Sequence, residues 1–169
     1  MGGNIAFRAQ LVIAEQRQLY DYWVERAAGR SMPDRCDISP RDFPRLLPFV
    51  SLIDVEPLTG RCKVRLAGTR LRDIYDRETT GLYVDDLDWG DKRDYWLTAY
   101  ARILNDGKPA QGAVRGPRMQ KDHLVQFWLR LPLSHADGRV GMVLSYDMFQ
   151  SASEFPATTQ EQMPVARYG

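Results

Sequence analysis

Cysteine and histidine are scarce in this chain of 169 residues, which has two of each. Neither Cys36 nor Cys62 belongs to a C-x-x-C motif, and with the histidines they do not reach the ligand spacing of a metal site. Cys62 lies in a predicted strand, so we expect a buried free thiol there. His135 lies in a predicted turn, which leaves no spacing that suggests a nucleophile, a base and an orienting group. The sequence therefore predicts a protein that is not an enzyme and binds no metal.

Long hydrophobic runs and an excess of one charge are also missing. No apolar run approaches the roughly 20 residues that span a bilayer, and the N-terminus lacks the longer apolar region of a signal peptide. Lys and Arg number 23 and Asp and Glu number 22, which gives a formal net charge of +1. This balance gives no reason to expect nucleic acid or an acidic membrane as a partner. We expect a cytoplasmic protein.

Apolar residues are abundant, at 44% of the chain, so one domain with extensions can bury a sizeable core. Residues 1–30 are expected to supply an N-terminal helix, because apolar side chains recur at three- and four-residue steps across 9–28 and Gly29 is a natural stop. Residues 31–150 are expected to form the domain, entered through a proline-rich connector. Residues 151–169 are polar and aperiodic, which is typical of a flexible tail.

Alternating apolar and polar residues predict five strands, at 49–56, 61–67, 111–119, 123–133 and 139–149. The first two are joined by a turn at 57–60 and form a hairpin. The pattern also predicts a helix at Asp91–Asp106, which Asp91 is expected to cap and Gly107 to end. This order closes into an antiparallel sheet with helices on one face, an α+β fold.

The break Ala67-Gly68-Thr69 follows the second strand, and a glycine-threonine break can either bind phosphate or turn the chain. A phosphate loop needs more glycines and a lysine than GTRLRD supplies. We therefore predict a corner, in which Gly68 lets the chain leave the strand, Thr69 caps a short helix through Tyr75, and Gly81 permits the next bend.

The chain resembles a PAS domain, in particular a bacterial family of mostly stand-alone PAS proteins. The resemblance covers about Leu19–Phe149. It is carried by the lead-in PRDFPRLLPFVSLIDV, the segment RLAGTRLRDIYDRETTG with LYVDDLD, the helix YWLTAYARILNDGKP and the hairpin WLRLPLSHADGRVGMVL. It implies a sensory or regulatory protein that binds a small molecule or a signalling protein. The alternatives are a ligand-free interaction adaptor and an NTF2-like cone-fold enzyme, against which the early hairpin argues.

Cofactor expectations follow from the same resemblance. Flavin photosensors of this fold carry a reactive cysteine in an Asn-Cys-Arg-Phe run, which neither Cys36 nor Cys62 has. Haem-binding members place a histidine on the long helix or on the strand after it, and this chain has none there. We therefore expect no coloured cofactor. The predicted inward faces give a candidate lining for an internal cavity: Leu66, Ile74, Tyr100, Leu104, Val125, Phe127, Met142 and Leu144.

The same strand phase leaves Leu124 and Trp128 pointing away from the helices. An exposed tryptophan on a sheet is uncommon unless something covers it. The helix at 9–28, with Tyr22 and Trp23, can cover that face in its own chain, and a second copy can complete the burial. We expect a homodimer. The alternative is a monomer whose helix covers the face completely.

Overall fold

The computed structural model describes residues 2–117, 120–155 and 165–169. Two helices open the chain, α1 (Gly2–Ala9) and α2 (Ala14–Ala27). The predicted helix at 9–28 is thus correct from residue 14 onward, whereas α1 was not expected. Ile13, at the N-cap of α2, is in an extended conformation, which separates the two helices. Ala28 then ends α2 in a left-handed conformation.

A hairpin follows the proline-rich connector, which is a series of 3₁₀ turns over 35–49. Its strands are β1 (Val50–Val55) and β2 (Cys62–Ala67), as the alternation predicts. Cys62 is buried, and its thiol faces the same side of β2 as Val64. Both cysteines are free thiols.

The corner after β2 is confirmed, but its physical cause differs from the prediction. Gly68 has φ −63 and is the N-cap of α3 (Thr69–Tyr75), with no side-chain cap from Thr69. Glycine is needed because a Cβ at residue 68 would lie 2.5 Å from the Leu47 carbonyl oxygen and closer still to that of Pro48. Gly81, with φ 87, does use the freedom that only glycine has.

The long helix α4 (Arg93–Asp106) buries Trp96, Ala99, Tyr100 and Ile103 along one side. Asp91 does not cap it, because the chain enters α4 through a 3₁₀ turn at Gly90–Lys92. Gly107 ends it as predicted, with its N–H bound to the Ile103 carbonyl oxygen at 2.9 Å.

The second half of the chain completes an antiparallel sheet with β3 (Ala110–Arg115), β4 (Leu124–Ser134), β5 (Val140–Ser151) and β6 (Val165–Tyr168). The strand order is β2-β1-β5-β4-β3-β6. The sheet therefore has six strands, and the prediction of five was wrong. Strand β6 lies in the stretch that we predicted as a flexible tail. The end of the predicted strand 111–119 and residues 156–164 of that tail lie outside the described residues.

Helices cover both faces of the sheet. Residues on β4 alternate: Trp128 and Arg130 contact α4, so Leu129, Leu131 and Leu133 point to the opposite, outer face. These leucines are fully buried. Helix α2 lies over β4, and the Trp23 indole N–H donates to the Pro132 carbonyl oxygen at 2.8 Å.

Two expectations change with this arrangement. Trp128 is not on the outer face; it is fully buried against α4. The outer face is covered by α2 of the same chain, which was the alternative to a dimer. Self-association therefore stays a prediction. The apolar sheet face on which we based it is already covered by α2. Within the described ranges, no helix is long and apolar enough to cross a membrane.

Candidate functional site

The face of the sheet toward α4 is polar at its centre. On β4 this face carries Gln126, Trp128 and Arg130, because alternate residues share a face. The Trp128 indole N–H donates to the Tyr95 hydroxyl at 2.8 Å. The Arg130 Nε donates to the Tyr100 hydroxyl at 3.2 Å. Helix α4 therefore lies over a row of polar groups rather than over aliphatic side chains.

At the centre of this row Arg130 and Asp147 form a buried ion pair. Arg130 donates from Nη2 to Asp147 Oδ1 at 2.9 Å and from Nη1 to Oδ2 at 3.1 Å, the two-pronged geometry that suits a guanidinium and a carboxylate. The side chains are 5% and 3% exposed. Gln126 Nε2 donates to the same carboxylate at 2.7 Å. Both charges are thus paired and held by further hydrogen bonds.

The surroundings of Arg130 favour its protonated form. Burial by itself acts to lower the pKa of the Arg130 guanidinium, but the Asp147 carboxylate beside it outweighs burial, so the pKa is raised. Burial also raises the pKa of Tyr100 and of Tyr75. At neutral pH Arg130 is therefore a cation and both phenols are neutral.

A small, partly open cavity of about 40 Å³ lies against this pair. It is bounded by the sheet, by α3 and by the segment 79–89. Its polar lining residues are Ser51, Tyr75, Thr79, Tyr100, Arg130 and Asp147. The remaining lining is aliphatic, apart from Trp89. The cavity therefore has a mixed lining, with polar groups from the sheet, from α3, from α4 and from the segment 79–89.

Three polar side-chain atoms around the pair lack a hydrogen-bond partner among the described residues: Trp96 Nε1, Gln126 Oε1 and Ser145 Oγ. The Trp96 ring lies 5.1 Å from the Arg130 guanidinium carbon. Ser145 is opposite Arg130 on one side and opposite the lining residue Ser51 on the other. All are fully buried. An unpaired buried polar group costs about 1–3 kcal/mol, so these atoms need an explanation.

Of the predicted lining residues, Tyr100 lines this cavity and the others do not. Val125 and Phe127 lie on the outer face of β4, and Met142 and Leu144 share that face because they are opposite Leu133 and Leu131. Leu66 is 51% exposed and Ile74 is half-buried on α3. Leu104 borders a different, partly open cleft of about 460 Å³ between α4 and the two hairpin turns.

The physical reason for the misplacement is the strand phase. We assigned the more apolar side of β4 to the cavity, as in a sheet with one wet face, but here α2 covers that side. When both faces of a sheet are buried, the hydrophobicity of its residues does not show which face lines the cavity. The signal for the site was present as the polar row Gln126-x-Trp128-x-Arg130 and the pair Ser145 and Asp147 on the next strand.

A family model described as a PAS domain matches residues 12–146. A search of the curated proteins by sequence found no match.

Solved structures with a similar fold include a light-oxygen-voltage domain studied with a flavin analogue, at a TM-score of 0.53 and 11% identity, covering 72% of this chain and 91% of that one. A LOV protein of Rhodobacter sphaeroides has a TM-score of 0.49 and 15% identity over 69% of this chain and 70% of that one. An RNA-binding light-oxygen-voltage receptor has a TM-score of 0.48 and 15% identity over 69% of this chain and 35% of the receptor. At these identities the similarity concerns the fold alone.

The residues present do not fit a flavin. A cavity of about 40 Å³ is far smaller than the roughly 300–1,000 Å³ of ordinary cofactor pockets. None of the described residues that line it is a cysteine. Burial raises the pKa of the Cys62 thiol to about 12, which keeps it protonated and unreactive. Among the described residues no group of acidic, cysteine or histidine side chains is arranged to hold a metal ion.

Proposed function

Because this chain belongs to the PAS domain family, we propose that it is a sensory or regulatory module whose input site is the cavity beside Arg130 and Asp147. It binds a small molecule there and passes the change to a partner protein through contacts at its surface. This is a binding function rather than a catalytic one. Both histidines, His123 and His135, are exposed and lie away from the cavity lining.

The observation that carries the proposal is the buried ion pair, because both of its residues line the cavity. Replacing a buried ion pair by apolar residues is often neutral or stabilising by about 1–4 kcal/mol, so such a pair is a poor way to stabilise a core. A bound molecule that contacts Arg130 and Asp147 in the cavity offsets this cost.

A route from the cavity to the surface runs through β5. Asp147 faces the cavity, and its neighbour Tyr146 faces the outer side, where its ring lies 6.0 Å from that of Phe49. The Tyr146 hydroxyl and Gln16 Nε2 of α2 are buried without partners among the described residues. Helix α2 therefore packs over the sheet with polar groups left unpaired, which makes its docking sensitive to a small shift of β5.

The test is a thermal-shift screen of small polar compounds, with amide hydrogen exchange of α2 as the second readout. At least one compound should raise the Tm of the wild type and alter exchange in α2. The variant Arg130→Met/Asp147→Leu should lose both responses. The matched control is Arg70→Met/Asp73→Leu, which removes an exposed pair on α3 with side chains 63% and 64% exposed. If every compound that acts on the wild type acts equally on the cavity variant, the cavity is not the input site.

A second candidate function is a ligand-free interaction adaptor, which the small volume of the cavity favours. In that case the screen finds no compound, and the partner recognises the surface alone. Pull-down with the wild type and with the cavity variant separates the two functions. An adaptor captures its partner equally well with either protein.

A further inference from the structure

A second cavity lies next to the one beside Arg130 and Asp147. Its volume is about 230 Å³, and it is partly open between the start of β2 and α4. Val84 and Tyr100 line both cavities. Their side chains are buried, at 3% and 7% exposure, so they form a partition between the two spaces.

The two cavities follow one another along β2. Cys62 lines the second cavity, and Val64, which is on the same side of the strand, lines the cavity beside Arg130. That cavity, of about 40 Å³, has room for little more than one water, whose share of liquid volume is about 30 Å³. Joined to the second cavity, it approaches the lower end of the roughly 300–1,000 Å³ of small-molecule sites.

The second cavity suits an apolar part of a ligand. Its wall on α4 consists of Leu97, Ala101 and Leu104 beside Tyr100. Its charged lining residues are Arg61 and Asp85, which are joined to one another by two hydrogen bonds of 3.0 Å. The second cavity therefore offers an aliphatic surface and a charge pair that is already matched.

Tyr100 holds the partition in place through a hydrogen bond that a ligand can replace. Its hydroxyl accepts from Arg130 Nε at 3.2 Å, while the other two guanidinium nitrogens hold Asp147. If Tyr100 turns away, Arg130 Nε loses this acceptor. A buried donor without a partner is strongly disfavoured. A molecule that takes the place of the phenol must therefore bring an oxygen to the same position.

Resting on the function proposed above, we infer that Tyr100 is a gate between the two cavities and that the ligand is a molecule with an apolar body and a terminal oxygen. The oxygen accepts from Arg130 Nε in place of the Tyr100 hydroxyl. The apolar body extends past Val84 into the second cavity and lies against α4. Tyr100 thus determines both the size of the ligand and the group at its end.

Two probes of the same shape test the inference. p-Cresol has a hydroxyl where p-xylene has a methyl group. The readout in the full chain is the indole N–H resonance of Trp89, identified by Trp89→Phe. Trp89 lines the cavity beside Arg130 and donates to the carbonyl oxygen of Val84 at 2.6 Å, so it reports on the partition. p-Cresol should shift this resonance with a dissociation constant on the order of millimolar, which is what so few atoms support. p-Xylene should bind at least about tenfold more weakly, because it gives Arg130 Nε no acceptor.

Two variants test the gate and the second cavity separately. Tyr100→Phe keeps the ring but removes the bond to Arg130, so p-cresol should bind about threefold to tenfold more tightly than to the wild type. The matched control is Tyr22→Phe on α2, which removes a hydroxyl bound to Asp42 and should leave the affinity unchanged. Ala101→Phe changes an exposed residue of α4 and fills the second cavity, so it should weaken p-cresol binding at least about tenfold.

The chain also supplies a control resonance. The Trp23 indole N–H is bound to the Pro132 carbonyl oxygen on the outer face, so it should not respond to p-cresol. A response of equal size at Trp23 and Trp89 overturns the inference. Equal affinity for the two probes overturns it as well, and so does p-cresol binding that neither Tyr100→Phe nor Ala101→Phe changes.

The outcomes separate this inference from the function beneath it. If neither probe shifts Trp89 although a compound from the thermal-shift screen acts through Arg130 and Asp147, the gate and the ligand class are wrong and the proposed function stands. If neither experiment finds a ligand, both proposals are wrong.

Discussion

Arg130 and Asp147 pair diagonally across neighbouring strands, with Arg130 opposite Ser145 and Asp147 opposite Trp128 in the sheet register. Removing one partner leaves the other charge buried. Asp147→Ala should therefore lower the free energy of unfolding by about 3–5 kcal/mol. Urea denaturation followed by tryptophan fluorescence measures this loss.

The double variant Arg130→Met/Asp147→Leu tests the same pair by removing both charges together. It should recover most of the stability lost in Asp147→Ala, because apolar side chains of similar volume leave no buried charge. Breaking the exposed pair with Arg70→Met/Asp73→Leu should change stability by less than about 1 kcal/mol. A double variant less stable than Asp147→Ala would contradict the view that the pair is kept for function.

Gly68→Ala should destabilise the protein by about 1–3 kcal/mol or more, because the added Cβ collides with the backbone of Leu47 and Pro48. Any residue can adopt the backbone conformation at position 68, where φ is −63. A loss of stability would therefore come from the steric collision and not from backbone strain. The control is Gly3→Ala in α1, where the new Cβ meets nothing within 4 Å beyond its adjacent residues and its own helix backbone. Equal stability of the two variants would show that the corner does not depend on this close approach.

The two cysteines should differ in reactivity. Cys36 is exposed, whereas Cys62 is buried and its thiol pKa is raised to about 12 by burial. Because the thiolate is the reactive form, a thiol reagent such as DTNB should modify Cys36 quickly at neutral pH and Cys62 only after denaturation. Cys36→Ser should leave no rapidly reacting thiol. Rapid modification of that variant would show that β2 opens far more often than its burial indicates.

Acid should remove the stabilisation that Asp85 provides. Arg61 donates to both of its carboxylate oxygens at 3.0 Å and holds the pKa of Asp85 below its usual value. A carboxyl whose pKa is lower when folded stabilises the protein above its unfolded pKa of about 3.9, and this contribution is lost as the pH falls through the folded-state pKa. Asp85→Asn should therefore cost more stability at about pH 6 than at about pH 2. The exposed Asp88→Asn is the control, and a cost for Asp85→Asn that does not change with pH would refute the assignment.

Helix α2 should be needed to keep the outer face of the sheet buried. Trp23 is 3% exposed, and Trp23→Ala should lower the free energy of unfolding by about 3–5 kcal/mol and increase binding of a hydrophobic dye. Val12, which precedes α2, is 66% exposed, and Val12→Ala should change stability by no more than about 0.5 kcal/mol. Sedimentation of the wild type at tens of micromolar tests the predicted dimer directly, and a monomer there would exclude it.

Local patterns determined most of the fold. Alternation marked β1, β2, β4 and β5 to within about two residues, because side chains on a strand point to opposite faces with a strict period of two. Gly107 ended the long helix as expected, since a glycine accepts the left-handed conformation found there. The family resemblance, carried by these breaks and turns together, covered most of the chain.

Tertiary structure decided what no local pattern encodes. Which side of β4 faces the cavity depended on α2, which covers the apolar side, so the polar side with Gln126 and Arg130 became the inner one. Strand β6 exists because the edge of β3 offers it backbone partners such as Gln111 for Arg167. Arg130 and Asp147 are far apart in sequence and meet only through the register of β4 and β5. Alternation fixes that two faces exist, but only packing decides which of them each neighbouring element covers.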